Sequence, residues 1–160
     1  MKLAKFKFES GQTLIEMIIA IGLVVLVLTT LVSALTLGIK NNRFAREQSQ
    51  AKNYVREGTE WARSIRDRLG WESFYDMVAQ DGNPVSYCLS SLPTTAQDAE
   101  ELTNRICTSQ ETINNTVFRR TAFFSFGNTD KELTLTVTVD WNDGSAIHTS
   151  TSTIILRQWI

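Results

Sequence analysis

The sequence is poor in histidine and cysteine, two residue types that are common in catalytic and metal sites. Among its 160 residues there is a single histidine, His148, and there are only two cysteines. No serine lies in a Gly-x-Ser-x-Gly turn and no glycine-rich loop could cradle a phosphate, so two common catalytic motifs are missing. His148 lies in a threonine-rich segment, where we expect a solvated or edge side chain. We therefore predict that the protein is not an enzyme and carries no metal and no cofactor.

A strong excess of one charge is also missing. The formal net charge is −1, whereas domains that bind nucleic acid usually have a strongly basic surface. The adjacent pair Arg119 and Arg120 is isolated in the sequence and is weak evidence for contact with DNA. We expect no nucleic-acid partner.

Proline and charge are both scarce in a long apolar run near the N-terminus. The run extends from Thr13 to Ile39, lacks proline and contains one ionisable residue, Glu16. As a helix it would be about 40 Å long, more than the roughly 30 Å of a bilayer's hydrocarbon core. A cleaved secretory signal is the alternative, but the apolar stretch of such a signal is only about 7–15 residues long. We expect a membrane helix that is retained.

Basic residues on either side of the run predict its orientation. Lys2, Lys5 and Lys7 precede it, and Arg43 and Arg46 follow it. Because cytoplasmic flanks carry more lysine and arginine than external ones, the three lysines of the short N-terminal head favour a cytoplasmic N-terminus, although the basic residues after the run, which include Lys40, weaken this preference. The remainder of the chain is then expected on the outer side of the membrane.

Glu16 requires an explanation, since a charged side chain costs roughly 2.5–3.5 kcal/mol at the centre of a membrane span and less near its edge. It ends the sequence Gly11-Gln12-Thr13-Leu14-Ile15-Glu16, which leads directly into the apolar run. A basic head, a glycine, Thr-Leu-Ile-Glu and a long apolar helix together resemble the type III signal of type IV prepilins and type II secretion pseudopilins.

This resemblance implies roles in processing and assembly. A membrane aspartyl peptidase, the prepilin peptidase, would cut between Gly11 and Gln12, and Gln12 would become an N-methylated N-terminus. Glu16 would guide assembly by neutralising the new amine of a neighbouring subunit, in a buried pair that specifies register more than it stabilises. The sequence differs from the usual pattern at Gln12, where the family more often has Phe, at Glu9 in the leader, and at Ser33, where many major pilins have proline.

The chain is long enough for one membrane helix and one small outer domain. We expect a cleaved leader peptide at 1–11, a transmembrane and assembly helix at 12–39, and a periplasmic or extracellular domain at 40–160. The parts expected within the outer domain are an amphipathic helix at 40–69, a variable disulfide-bearing segment at 71–116 that is irregular apart from a short helix between Ala96 and Ile106, and an antiparallel sheet at 117–158.

Hydrophobic periodicity supports this division of the outer domain. After Ile39 apolar residues recur every three or four positions, as on one face of an amphipathic helix, and Gly70 is a stop signal. The residues of this stripe are Phe44, Ala51, Tyr54, Val55, Gly58, Trp61, Ala62, Ile65 and Leu69.

The segment from Leu133 to Trp141 alternates between apolar and polar residues with period two, as in a half-buried strand, and Asn142-Asp143-Gly144 predicts a hairpin turn. The sequence leaves the hairpin register open. Packing the stripe on the sheet gives an α+β, pilin-like fold.

Cys88 and Cys107 leave two possibilities open. Outside the cytoplasm an even pair indicates a disulfide, which would close a loop of about 20 residues and contribute roughly 3 kcal/mol on the chain-entropy model. Two free, buried thiols are the alternative.

The C-terminal third carries a narrower resemblance. The strand Val137-Thr138-Val139-Asp140-Trp141, a turn, and a Thr/Ser-rich strand ending near Trp159 resemble minor pilins and I-type pseudopilins. This implies a non-catalytic, minor or initiating subunit of a type IV pilus, secretion pseudopilus or competence filament. Its partners would be the prepilin peptidase, other pilin subunits contacted through the N-terminal helix, and the inner-membrane assembly platform. It would be a single-pass protein of the cytoplasmic membrane before assembly and part of the filament afterwards.

The alternative is a membrane-anchored extracytoplasmic binding domain that is not built into a filament.

Overall fold

A computed structural model describes residues 12–80, 82, 84–127 and 132–158. The predicted leader at 1–11 lies outside the described residues. The elements in chain order are α1 (Gln12–Leu69), α2 (Trp71–Ala79), β1 (Val85–Cys88), α3 (Ala96–Glu100), a 3₁₀ turn (Ile113–Asn115), β2 (Phe118–Phe126), β3 (Glu132–Asn142) and β4 (Ile147–Arg157). A long N-terminal helix therefore packs on a small antiparallel sheet, and the predicted α+β fold with a pilin-like layout is confirmed.

The chain divides into two compact units, the first ending at Phe44. In its described residues the first unit is the N-terminal part of α1, in which every large apolar side chain from Leu14 to Ile39 is 53–70% exposed. The hydroxyls of Thr29, Thr30, Ser33 and Thr36 donate to carbonyls three or four residues earlier, at 2.8–2.9 Å. These polar groups are thus satisfied inside the helix, as an apolar environment requires. Helix α1 is long and apolar enough to cross a membrane.

The second unit, Ala45–Ile160, contains the core. The predicted stripe of α1 faces inwards at Ala51, Val55, Ala62 and Ile65, all at most 5% exposed. One charged residue is also buried next to the stripe, since Arg66 is only 8% exposed. Its guanidinium donates to the Asp67 carboxylate at 2.7 and 2.9 Å, so the charge stays paired at the edge of the core.

Glycine ends the helix as predicted. Helix α1 stops at Leu69, and Gly70 adopts a φ of 80°, a left-handed conformation that side chains disfavour. The Gly70 amide donates to the carbonyl of Arg66 at 2.9 Å. Helix α2 follows directly and buries Phe74 and Val78.

The sheet is an antiparallel meander with strand order β1-β2-β3-β4. Alternate side chains of β3 are buried towards α1, as the period-two pattern predicts. The buried residues are Leu133, Leu135, Val137, Val139 and Trp141. The β3–β4 register pairs Asn142 with Ile147, so that Gly144 and Ser145 form a two-residue loop. Ser145 and Ala146 donate three hydrogen bonds to the Asp143 carboxylate, which lower its pKa.

The expectation of an irregular segment at 71–116 was wrong in two places. Trp71–Ala79 is helical and Val85–Cys88 is the first strand of the sheet, which therefore begins before residue 117. The four-residue β1 is too short to show a period of its own and forms by pairing with β2. The predicted short helix after Ala96 is present but ends at Glu100 rather than Ile106.

Candidate functional site

Of the predicted processing and assembly residues, Gln12 and Glu16 lie at the start of α1. Gly11 lies outside the described residues. Gln12 is the first residue of α1, and Glu16 follows one helical turn later with an exposed side chain. The neighbours Leu14, Ile15 and Met17 are 63–66% exposed, so the carboxylate lies on an apolar helix surface.

Helical geometry defines what Glu16 could contact. An amine at Gln12 of the same chain would lie about 6 Å along the helix axis from Glu16, because each residue rises by 1.5 Å. A second helix displaced along its axis by one turn would bring its own terminal amine level with Glu16. Within the part of the chain that the structure describes, Glu16 has no ion-pair partner.

The two cysteines predicted to pair, Cys88 and Cys107, form a disulfide. Cys88 at the end of β1 and Cys107 are joined by an S–S bond of 2.04 Å, with 4.7 Å between their Cα atoms. The disulfide prediction is confirmed, and the alternative of two free thiols is excluded. The bond secures the segment that follows α3 against the outer edge of the sheet.

Polar contacts hold the same segment along the edge of β1. The Arg105 amide donates to the Ser86 carbonyl at 2.7 Å, and the Ser86 amide donates to Asn104 Oδ1 at 3.0 Å. Arg105 also donates two hydrogen bonds to the Glu111 carboxylate, at 2.6 and 2.7 Å. These bonds, together with donation from the Thr108 amide and hydroxyl, lower the pKa of Glu111 to about 2.

Arg120 is a buried cation that the sequence analysis did not foresee. It is 2% exposed and projects from β2 towards α1. Its Nε donates to the Leu89 carbonyl at 3.2 Å, and its Nη1 donates to the Tyr54 carbonyl at 3.1 Å and to Glu57 Oε2 at 3.2 Å. Burial lowers its pKa, and the Glu57 carboxylate partly opposes that effect. Arg120 therefore ties α1 and the end of β1 to the middle of the sheet.

The adjacent residues Arg119 and Arg120 lie in different environments. Arg120 cannot contact DNA because it is buried, whereas Arg119 points to the opposite face and is half-exposed. Alternate residues of a strand lie on the same face of the sheet, so Arg120 shares its face with Phe118, Ala122 and Phe124. All three of these residues are apolar and buried, and this pattern was the signal that Arg120 lies on the inner face.

Gly58 allows α1 to approach the sheet closely. A Cβ atom at this position would lie 2.9 Å from Val137 Cγ1 and 3.1 Å from Arg120 Cδ. Both distances are shorter than ordinary van der Waals contact, so only glycine fits without displacement. The sequence placed Gly58 on the apolar stripe but gave no measure of this distance.

The outer face of the sheet carries a shallow groove of about 380 Å³ beside the disulfide. Its lining combines apolar, hydroxyl and charged side chains, namely Ser86, Ile106, Cys107, Arg119, Thr121, Phe123, Thr138 and Asp140. Elsewhere His148 Nε2 lies 2.9 Å from Asp143 Oδ2 on the edge strand. The described residues contain no group of three or more histidine, cysteine, aspartate or glutamate residues that could hold a metal ion.

Comparison of the chain with family models, curated proteins and solved structures found no match. A functional assignment therefore depends on the N-terminal sequence and on the described geometry. That geometry joins an exposed apolar helix, with one acid near its start, to a compact α+β unit that is secured by a disulfide.

Proposed function

We propose that this chain is a non-catalytic structural subunit of a type IV pilus or related pseudopilus, and that it is a minor or initiating one. The observation that carries the proposal is the continuity of α1 from Gln12 to Leu69. One helix supplies both an apolar surface for lipid or neighbouring helices and a packed element of the outer unit. The Thr/Ser-rich β4 and the Trp141 strand support the minor or initiating type.

The exposed apolar surface of α1 would be covered in two successive environments. Side chains from Leu14 to Ile39 that are more than half exposed need to be covered. Lipid would cover them in the single-pass precursor, and the helices of neighbouring subunits would cover them after assembly. The inner-membrane assembly platform would move the subunit from the first environment to the second.

Glu16 would then act in assembly rather than in chemistry. Cleavage after Gly11 exposes an amine at Gln12, and the carboxylate of a neighbouring subunit can neutralise it. Two charges that are each costly in an apolar environment would share one site and so define the axial displacement between subunits.

The first prediction concerns processing. Co-expression with a prepilin peptidase should shorten the chain by residues 1–11, as measured by intact mass. Gly11→Val should block the cut, because a branched side chain would then occupy the position next to the scissile bond. Gly22→Val is the matched control, because it makes the same change within the apolar run, where a Cβ would meet nothing within 4 Å. An unchanged mass in the presence of active peptidase would refute the proposal.

The second prediction concerns assembly. Glu16→Ala should leave the outer unit folded, with the Cys88–Cys107 disulfide formed, but should reduce incorporation into sheared filaments. Glu60→Ala is the control, since it removes an exposed glutamate from the same helix within the second unit. Equal incorporation of both variants would show that Glu16 has no role in assembly.

A membrane-anchored binding domain is the second candidate. The groove beside the disulfide, with the half-exposed Arg119 and Phe123 in its lining, is the observation that favours it. This candidate requires neither cleavage after Gly11 nor copurification with filaments. The processing experiment therefore separates the two functions.

A further inference from the structure

The two outer edges of the sheet differ in how they are covered. The outer edge of β1 is bonded to the segment at Asn104 and Arg105, through an isolated bridge between Tyr87 and Asn104. Among the strands that the structure describes, β4 by contrast pairs with β3 alone. Among the described residues no backbone hydrogen bond joins the other edge of β4 to any segment. An open edge of 11 residues is long for a strand.

The hairpin determines which residues face this open edge. The Asp143 amide donates to the Ala146 carbonyl, which makes these two residues a hydrogen-bonded pair. Bonded and non-bonded pairs alternate along an antiparallel ladder, so even-numbered residues from His148 to Leu156 bond to β3. The backbone N–H and C=O groups that point outwards belong to Ile147, Thr149, Thr151, Thr153, Ile155 and Arg157.

From Ile147 to Ile155 the outward residues lack the usual protection against strand pairing. Natural edge strands are blunted by proline, charged side chains, bulges or covering segments, whereas β4 contains no proline and its first charged outward residue is Arg157 at its end. Its terminal apolar residues Ile147 and Ile155 are 66% and 53% exposed. From Ile147 to Ile155 the outward residues read Ile-Thr-Thr-Thr-Ile, all β-branched and symmetrical about Thr151.

This symmetry identifies a second copy of the same strand as the occupant. We propose that β4 pairs antiparallel with β4 of a second copy of this chain, about a two-fold axis at Thr151. Ile147 would then lie opposite Ile155 of the other copy, Thr149 opposite Thr153, and Thr151 opposite itself. Directly opposed β-branched pairs are favourable on a sheet surface, and no like charges meet in this register. The two sheets would form one continuous sheet through a self-complementary interface.

The pairing also fixes the direction from which the second copy approaches. A two-fold axis perpendicular to the sheet reverses every direction in the sheet plane. The segments of α1 that lie on the two sheets would therefore run in opposite directions. This arrangement does not suit neighbouring subunits whose outer units share one orientation. It is thus separate from contacts made through the N-terminal helix.

Two single lysine substitutions, compared with the wild type as full chains in detergent micelles, test the proposal. Thr151→Lys places two like charges directly opposite each other at the proposed axis. Thr138→Lys is the matched control, because Thr138 is the cross-strand neighbour of Thr151 on the same face and shares its hydroxyl contact at 3.4 Å. Sedimentation velocity should show dimers for the wild type and for Thr138→Lys, and monomers for Thr151→Lys. A monomeric wild type, or dimers that respond equally to both substitutions, would overturn the proposal.

Cysteine crosslinking tests the register. Both native cysteines are in the disulfide, so an added thiol has no native partner. Under mild oxidation Thr151→Cys should form a linked dimer with itself. Thr149→Cys should do so only when it is mixed with Thr153→Cys. Linkage of Thr149→Cys to itself without linkage of Thr151→Cys would contradict this pairing.

Discussion

Gly58→Ala tests how tightly α1 packs on the sheet. The added Cβ would lie 2.9 Å from Val137 Cγ1, which belongs to a stiff, β-branched and fully buried side chain. It would also lie 3.1 Å from Arg120 Cδ, whose guanidinium is held by hydrogen bonds. Neither neighbour can move away without disturbing the core.

The magnitude follows from two opposing effects. Overpacking a close-packed core by one methyl group costs about 1–3 kcal/mol. Replacing glycine by alanine inside a helix returns about 1 kcal/mol through helix propensity. We therefore expect a net loss of about 1 kcal/mol in the free energy of unfolding of the outer unit.

Val137→Ala provides the matched background. It removes both methyl groups that lie 2.9 and 3.5 Å from the new Cβ, and by itself it should destabilise the unit by about 2 kcal/mol through the cavity it leaves. In this background the steric cost of Gly58→Ala should be largely relieved, which leaves mainly the helix-propensity gain. The coupling energy from the double-mutant cycle should then approach 2 kcal/mol in magnitude, within the usual range of about 0.5–3 kcal/mol for contacting residues.

Guanidinium unfolding of the full chain in mild detergent measures these differences. Fluorescence reports on the outer unit because Trp61 and Trp141 are only 6% and 2% exposed. If Gly58→Ala raised the unfolding free energy by about 1 kcal/mol, as at an unconstrained helix position, the close approach at Gly58 would not be tight. An identical effect of the substitution with Val137 and with Ala at position 137 would contradict the proposed contact.

Two further predictions use the same unfolding assay. Arg120→Met should destabilise the outer unit by about 2 kcal/mol, because buried carbonyls lose charged donors, whereas Arg119→Met should change stability by less than about 0.5 kcal/mol; equal effects would contradict the buried role of Arg120. Hydrogen bonds from Arg105 lower the pKa of Glu111 from 4.5 to about 2, so the stabilisation is present above about pH 4.5 and is lost as the pH falls towards 2. The stability difference between wild type and Glu111→Gln should fade over that range, and a constant difference would refute the ion pair.

The parts of the fold that were predicted correctly have long, regular signals. Helix α1 and strand β3 follow periods of 3.6 and 2 over many residues, so their buried faces were readable in advance. The stop at Gly70 was equally local, since it depends on one backbone conformation. The disulfide was favoured from cysteine number and expected location.

The parts that were missed depend on contacts between distant segments. Strand β1 has only four residues and exists because β2 lies beside it. The burial of Arg120 was not predicted, and its partners Tyr54, Glu57 and Leu89 lie more than 30 residues away in the sequence. Nothing local in the sequence brings these groups together.

Some features of this protein are determined by local sequence patterns, and others are determined by tertiary contacts. The Gly11–Glu16 segment and the apolar run are local patterns, and the sequence alone therefore determined the expectation of a membrane helix with a processing signal. Only the tertiary structure decided that Gly58 must be glycine, that Arg120 is internal, and that β4 has an open edge. Each of these depends on which segments become neighbours, and that is decided by packing and strand pairing over the whole unit.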